Sequence, residues 1–359
     1  MKRSLKIDTG FFGFLGKNGV VKRVKLLSVN VSGWAPVAGI VAFNCGSVNS
    51  CFVSGIVTGE GTVSEIDSCQ VGGLVSRNGL SMGDPAGTTE SFGPGFISDS
   101  ISACTVHGIS SIGGCVGQNW HGSTVNGCQA FCDVAGMFYV GGFVGTCSNS
   151  STVTNCAAYG AVSGDFYVGG FTGNNGGSID AAESSICTIT HCSASGDVSG
   201  NVNGIGGFAG CNRGDSNITD SCAFGTVRGT FVIGGFVGYN GAILNDDRMN
   251  PGHIERCFSI GGVVGRENCA VNAGGFVGYS RYGRTITNCY ARGAVDENCP
   301  IGNSNYILAG FCAWNDATSK ISYCYTSGDV DGYNGGRCFF SDFVRAGFIG
   351  CLLYTSRRG

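Results

Sequence analysis

Cys104 and His107 stand three residues apart, Cys128 and Cys132 four, and His253 and Cys257 four, spacings that can present two ligands to one zinc ion. None is matched by a second pair at zinc-site spacing, so no metal is expected. His107, His121, His191 and His253 are spread along the chain. His191 precedes Cys192 where other copies of the same segment have Asn155 or Asn288, which marks it as a corner residue. Nucleophilic catalysis has no better foothold: there is no G-x-S-x-G elbow, and Cys–His proximity is commonplace among 21 cysteines. Glycan cleavage would need two carboxyl groups about 5–10 Å apart. Asp133, Asp197 and Asp329 share one phase, five residues after a cysteine position, but as solvated corners in coils far apart along the axis. Asp246 and Asp247 in NDDRMNPG read as a solvated turn, with a calcium or ligand loop as the rival. The expectation is a chain with no catalytic residue, no cofactor and no metal.

Such residues must be held by something, and the holding element is a repeat. VGGF at Val140 recurs at Val168, 28 residues later. Anchored on the second glycine, the copies fall at Gly13, Gly39, Gly73, Gly114, Gly142, Gly170, Gly207, Gly235, Gly275, Gly310 and Gly347, a basic unit of 28 with insertions. Phenylalanine usually follows the anchor, as at Phe143, Phe171, Phe208, Phe236 and Phe276, and asparagine recurs five residues after it, as at Asn18, Asn44, Asn175 and Asn240. Fixed large and polar phases are what stacked coils require, because each side chain meets its own copy about 4.8 Å away. The phenylalanines should form one continuous core stack and the asparagines a hydrogen-bonded ladder. Valine, isoleucine and threonine fill the short segments between glycine corners, and no 3.6-residue apolar period is long enough for a substantial helix. The fold expected is therefore all-β, a β-solenoid resembling a parallel β-helix, of about ten coils and roughly 50 Å.

A second landmark places cysteine near mid-coil, at Cys51, Cys104, Cys128, Cys156, Cys192, Cys257, Cys289 and Cys324, with Ser221 in that phase once. Stacked Cβ atoms near 4.8 Å are too far apart for a disulfide, so these read as buried thiols acting as small hydrophobes. So many free thiols suit an anaerobic or reducing setting.

The 65 glycines exclude an ordinary globular core; the lack of a triplet period excludes collagen, and 43% hydrophobic content argues against disorder. A net charge of −3 gives no field for nucleic acid, and no apolar run suits membrane insertion. Residues 1–350 read as one repeat domain entered and left mid-pattern. The tail 351–359 begins CLLYTS, the peptide that an end sequence of a common library transposon would encode, and is expected to be foreign.

The pattern GGFVG followed by I/V-T-N-C-x-A-x-G-x-V, seen with small variations from Gly141 to Val162 and from Gly274 to Val295, resembles the GLUG repeat of bacterial surface proteins. The resemblance implies an extracellular or cell-surface repeat segment, adhesive or spacer-like, touching a host or cell-surface glycan or protein, and it transfers no catalytic residue. A carbohydrate-active β-helix enzyme, lyase or hydrolase, is the alternative. Insertions after the asparagine phase (79–98, 176–186, 241–253) and after the later glycine or valine (262–272, 296–307, 331–344) leave from two corners, where repeat proteins place function. The late set carries Cys269, Cys299 and Cys338, so a disulfide or contact surface is expected there before the core.

Overall fold

The computed structural model describes residues 9–34, 36–62, 69–80, 93–177, 186–241, 252–266, 271–297, 306–316, 318–331, 343–346 and 348–352. Cys269, Cys299, Cys338, Asp246, Asp247 and most of each insertion except 262–272 lie outside them. Described secondary structure is all β. One turn of the chain runs Val144–Cys147, bends into Ser151–Thr154, bends again into Ala157–Ala158, and continues through Val162–Gly169 before Thr172–Asn175 opens the next level. Repetition of this path builds three sheets, one of 11 strands, one of 10, and a third that takes both remaining segments of every turn. Neighbouring strands are parallel; an isolated antiparallel bridge joins Leu80 to Gly93. A chain that rises one layer per turn can pair with itself only in this sense.

Register follows the repeat. Val116 faces Val144 and Thr124 faces Thr152, each 28 residues on. At the start the register corrects the anchor: Phe12 faces Val41, so Gly10 and not Gly13 is the partner of Gly39. Asn18 therefore leaves the asparagine phase, which Leu15 occupies opposite Asn44; Asn18 is exposed in a turn. A glycine-rich opening (Gly10, Gly13, Gly16, Gly19) offers several anchors by eye, and only strand pairing chooses among them. At the other end Ile349–Leu352 adds a strand to Cys312–Asn315, carrying the ladder two residues into the segment read as foreign. An open sheet edge accepts any extended chain with free backbone groups, so this pairing does not bear on that segment's origin.

The core is a column of rings. Phe143, Phe171, Phe208, Phe236, Phe276 and Phe311 are fully buried, with successive centroids 4.8–4.9 Å apart and planes within 4–7° of parallel. Phe348 adds a ring 5.0 Å above Phe311, and Cys115 lies in the layer below Phe143. The anchor glycine ahead of each ring is a matter of space: a Cβ on Gly142, Gly170 or Gly235 would sit 2.2, 2.2 or 2.0 Å from the carbonyl oxygen of the next anchor.

Candidate functional site

The landmark cysteines do more than fill space. The residue before each has a left-handed backbone: φ is 54° at Asn155, His191 and Asn288, and 52° at Arg256. That corner aims the thiol along the axis. Cys128 N–H donates to Cys156 Sγ at 3.4 Å, and Cys257 N–H to Cys289 Sγ at 3.4 Å. Each thiol also donates back to the carbonyl two residues earlier, Cys128 to Asn126, Cys156 to Thr154 and Cys289 to Thr287, at 3.4, 3.0 and 3.1 Å. Ser221 makes the same pair of bonds, accepting from Cys192 N–H at 3.2 Å and donating to Thr219 at 2.7 Å. The phase thus selects a small side chain that both donates and accepts, which adds hydrogen bonding to the expected buried, unbridged thiols of the core. Cys104 is a correction. Ser100 holds the landmark phase between Cys51 and Cys128, while Cys104 lies four residues on, its N–H donating to Cys132 Sγ at 3.2 Å. Burial raises the thiol pKa at Cys156 and Cys289 and pushes Cys132 up to about 12, which keeps these sulfurs protonated and slow to react.

Cys156→Ser is accordingly expected to change stability by less than about 1 kcal/mol, whereas Cys156→Val leaves Cys128 N–H buried without an acceptor and costs about 1–3 kcal/mol. Urea midpoints of the two variants check this; equal losses would restore the purely hydrophobic reading.

The asparagine phase forms a buried amide ladder in two runs. Asn44 Nδ2 donates to Asn78 Oδ1 at 2.7 Å and Asn78 to Asn119 at 2.8 Å; higher up, Asn175 donates to Asn212 at 2.8 Å and Asn212 to Asn240 at 3.0 Å. Between the runs stands Cys147, in a disulfide with Cys187 of the next coil. Cys187 itself sits in a second small-residue ladder, between Ser151 and Ser216. The cystine therefore ties two ladders across one corner. It is the disulfide among the described residues, where the expectation had put any bridge on the late insertions. The spacing argument covered one ladder meeting its own copies; it did not cover two ladders meeting at a bend. Asn175 Oδ1 is left without a donor where Cys147 replaces the lower asparagine, and Asn240 Nδ2 ends the upper run below Ser280.

Thiol titration of the denatured chain should show two fewer reactive thiols without reductant than with it, with any bridge outside the described residues adding to that deficit. Closing 40 residues should contribute about 4 kcal/mol in the chain-entropy account. Cys147→Asn with Cys187→Ser should recover part of that loss by making the amide ladder continuous; a double variant no more stable than Cys147→Ala with Cys187→Ser would refute the ladder account.

Of the three aspartates, two share a groove. The register Val134–Val162–Val198 sets Asp133 and Asp197 two layers apart, about 10 Å between backbones. They line one open groove of about 340 Å³ with His107, Ser163, Ser199 and Arg228. The view that all three are far apart is thus wrong for this pair and right for Asp329, which lies four layers above Asp197. Each carboxylate has structural work. Asp133 Oδ1 accepts Ala161 N–H at 2.9 Å and Asp197 Oδ1 accepts Thr226 N–H at 2.8 Å, both in the next coil. Arg228 reaches Asp197 at 3.8 Å on the surface, an ion pair of about 0–1 kcal/mol. His107, read from the sequence only against Cys104, and Arg228, not singled out, both stand two residues after the aspartate phase, where repeat-to-repeat alignment would have placed them beside it.

Outward-facing rings also stack along the axis. Phe131 and Tyr159 lie 4.5 Å apart and parallel within 8°; Phe258, Tyr290 and Tyr325 form a second column at 4.9 and 5.0 Å. A third group gathers Tyr139 and Tyr167 under Arg213, whose guanidinium lies 4.7 Å from the Tyr167 ring centre. No group of three metal-ligating side chains exists among the described residues, and no described helix is long and apolar enough to cross a membrane.

Residues 164–199 match the GLUG motif. That stretch is one turn of the solenoid, since Ser163, just before it, faces Ser199 at its end. The chain has no match among curated proteins. Among solved structures it is similar to a Bacteroides ovatus protein described as a candidate immunoglobulin A1 protease, at 16% identity over 88% of this chain and 67% of that one, with a TM-score of 0.34.

Proposed function

We propose that this GLUG-motif solenoid is a non-enzymatic extracellular module of a bacterial surface protein, adhesive or spacer-like, whose partner is a host or cell-surface glycan or protein. The observation that carries the reading is how the polar side chains are used. Amides, thiols and the Asp133 and Asp197 carboxylates are each bonded to the next coil, so they serve the stack and not a reacting group. Eleven stacked strands in one sheet give a stiff rod roughly 50 Å long. Cys132, Cys156 and Cys289, whose burial keeps them protonated, are compatible with an oxidising exterior because they present little thiolate to oxidant.

A carbohydrate-active enzyme is the second reading, favoured by one feature, the groove that brings Asp133 and Asp197 together beside His107 and Arg228. Both readings meet one experiment. Beads coated with the chain are tested for attachment to epithelial and bacterial cells, and the soluble chain for turnover of a polysaccharide panel. Attachment without turnover supports the proposal. Turnover that disappears in Asp133→Asn or Asp197→Asn replaces it with the enzymatic reading, and neither attachment nor turnover leaves a spacer.

A further inference from the structure

The outward column that begins Phe131–Tyr159 has an empty rung. Register places Ser195 directly above Tyr159 and Phe224 directly above Ser195. The lower face of the Tyr159 ring is covered by Phe131; its upper face looks along the axis into the Ser195 layer, and the residue is 43% exposed. Phe224, 41% exposed, closes the slot from above, with its ring held edge-on by Phe258 at 5.7 Å. The adjoining column is small at the same levels: Ala157, Ser193 and Cys222. No side chain of that column at these levels is large enough to reach across the gap.

Two layers separate Tyr159 from Phe224, about 10 Å, so a flat ring at mid-height lies about 4.8 Å from each level. That is the separation at which Phe171 and Phe208 stack in the core. Phe131 also has no ring beneath it, where register places Ala103 and then Ser54, but only the open Tyr159 face has a second ring two layers on to bound the gap. The floor and side of the slot carry the Ser195 and Ser193 hydroxyls, which would face the apolar edge of an inserted phenyl ring but can hydrogen-bond the equatorial hydroxyls of a sugar. Tyr159, Ser193, Ser195, Cys222 and Phe224 carry no charge, and Asp197, two residues beyond Ser195, disfavours an anionic sugar.

We propose that the gap between Tyr159 and Phe224 over Ser195 is a binding slot for one neutral pyranose ring of a glycan, stacked by its C–H face on Tyr159. The proposal rests on the adhesive reading above and names its ligand class. Ser195→Phe supplies the missing rung from the chain itself. The same phase already holds Phe131 and Phe224, so the variant should fold, with a melting temperature no lower than that of the unaltered chain.

The test uses the full chain on a printed panel of neutral gluco-, manno-, galacto- and N-acetylglucosamine oligomers, with an aromatic-rich peptide as competitor and cell attachment in parallel. Expected is binding to at least one neutral oligomer, weakened at least about tenfold by Ser195→Phe and by Tyr159→Ala, the size of one stacking contact. Oligomer binding unchanged by Ser195→Phe overturns the slot. So does cell attachment without binding to any neutral oligomer, and in both cases the adhesive reading stands. Preferential capture of the aromatic peptide, lost in Ser195→Phe, overturns the sugar assignment. Absence of both oligomer binding and cell attachment overturns the slot and the adhesive reading together.

Discussion

Gly170→Val should leave no cooperatively folded solenoid. A Cβ at this position meets Gly207 O at 2.2 Å and the Ala194 Cβ at 3.1 Å, and the first of these is backbone that cannot swing aside. Relieving the clash means widening the layer spacing, which strains the ladder bonds above and below at once: Phe171 N–H to Phe208 O at 2.8 Å and Asn175 to Asn212 at 2.8 Å. The cost should exceed about 4 kcal/mol, the range in which single substitutions become disabling. Circular dichroism melts and soluble yield measure it. Gly262→Ala is the control, because the nearest atom to its added Cβ is 3.6 Å away, and it should melt near the unaltered chain. A Gly170→Val protein melting within a few degrees of that control would mean that the layers are held less tightly than their geometry requires.

Phe208→Ala is expected to cost about 3–5 kcal/mol, the usual range for emptying a buried phenylalanine site. Its ring is sandwiched at 4.8 Å on both faces, by Phe171 below and Phe236 above. Phe143 has a ring on one face only, with Cys115 beneath. Phe143→Ala should therefore cost less than Phe208→Ala by about 0.5–1.5 kcal/mol, the contribution of one aromatic pair. Urea midpoints at matched m-values decide the comparison. Equal costs would show that burial alone matters and that stacking adds nothing.

In a solenoid the same phase meets itself in every layer, so one-dimensional repetition becomes contact directly. That is why Phe171, Asn175 and Cys156 could be assigned to ladders without coordinates, and why Ser221 could be recognised as a member of the cysteine phase. Phase reading failed where the local pattern offered several anchors, at Gly10 against Gly13, and where a landmark cysteine had a competitor four residues away, at Ser100 against Cys104. Only pairing energies summed over a whole strand separate such alternatives, and these are not properties of one position. The chemistry at Cys156 was also hidden. Thiol and hydroxyl are interchangeable there because an αL corner at Asn155 turns the side chain along the axis, a fact of backbone direction that composition does not carry.

The all-β repeating coil, the Phe143-to-Phe276 column and the buried asparagines other than Asn18 follow from the order of residues alone, because each depends on a side chain meeting its own copy one layer away. The tertiary structure decided what depends on different phases coming together: the Cys147–Cys187 bridge, the groove shared by Asp133, Asp197, His107 and Arg228, and the empty rung over Ser195. Those arise where the chain bends or where one copy lacks what its neighbours have. Their distances are set by corner angles and strand register acting between coils, and a period counted along one chain does not contain them.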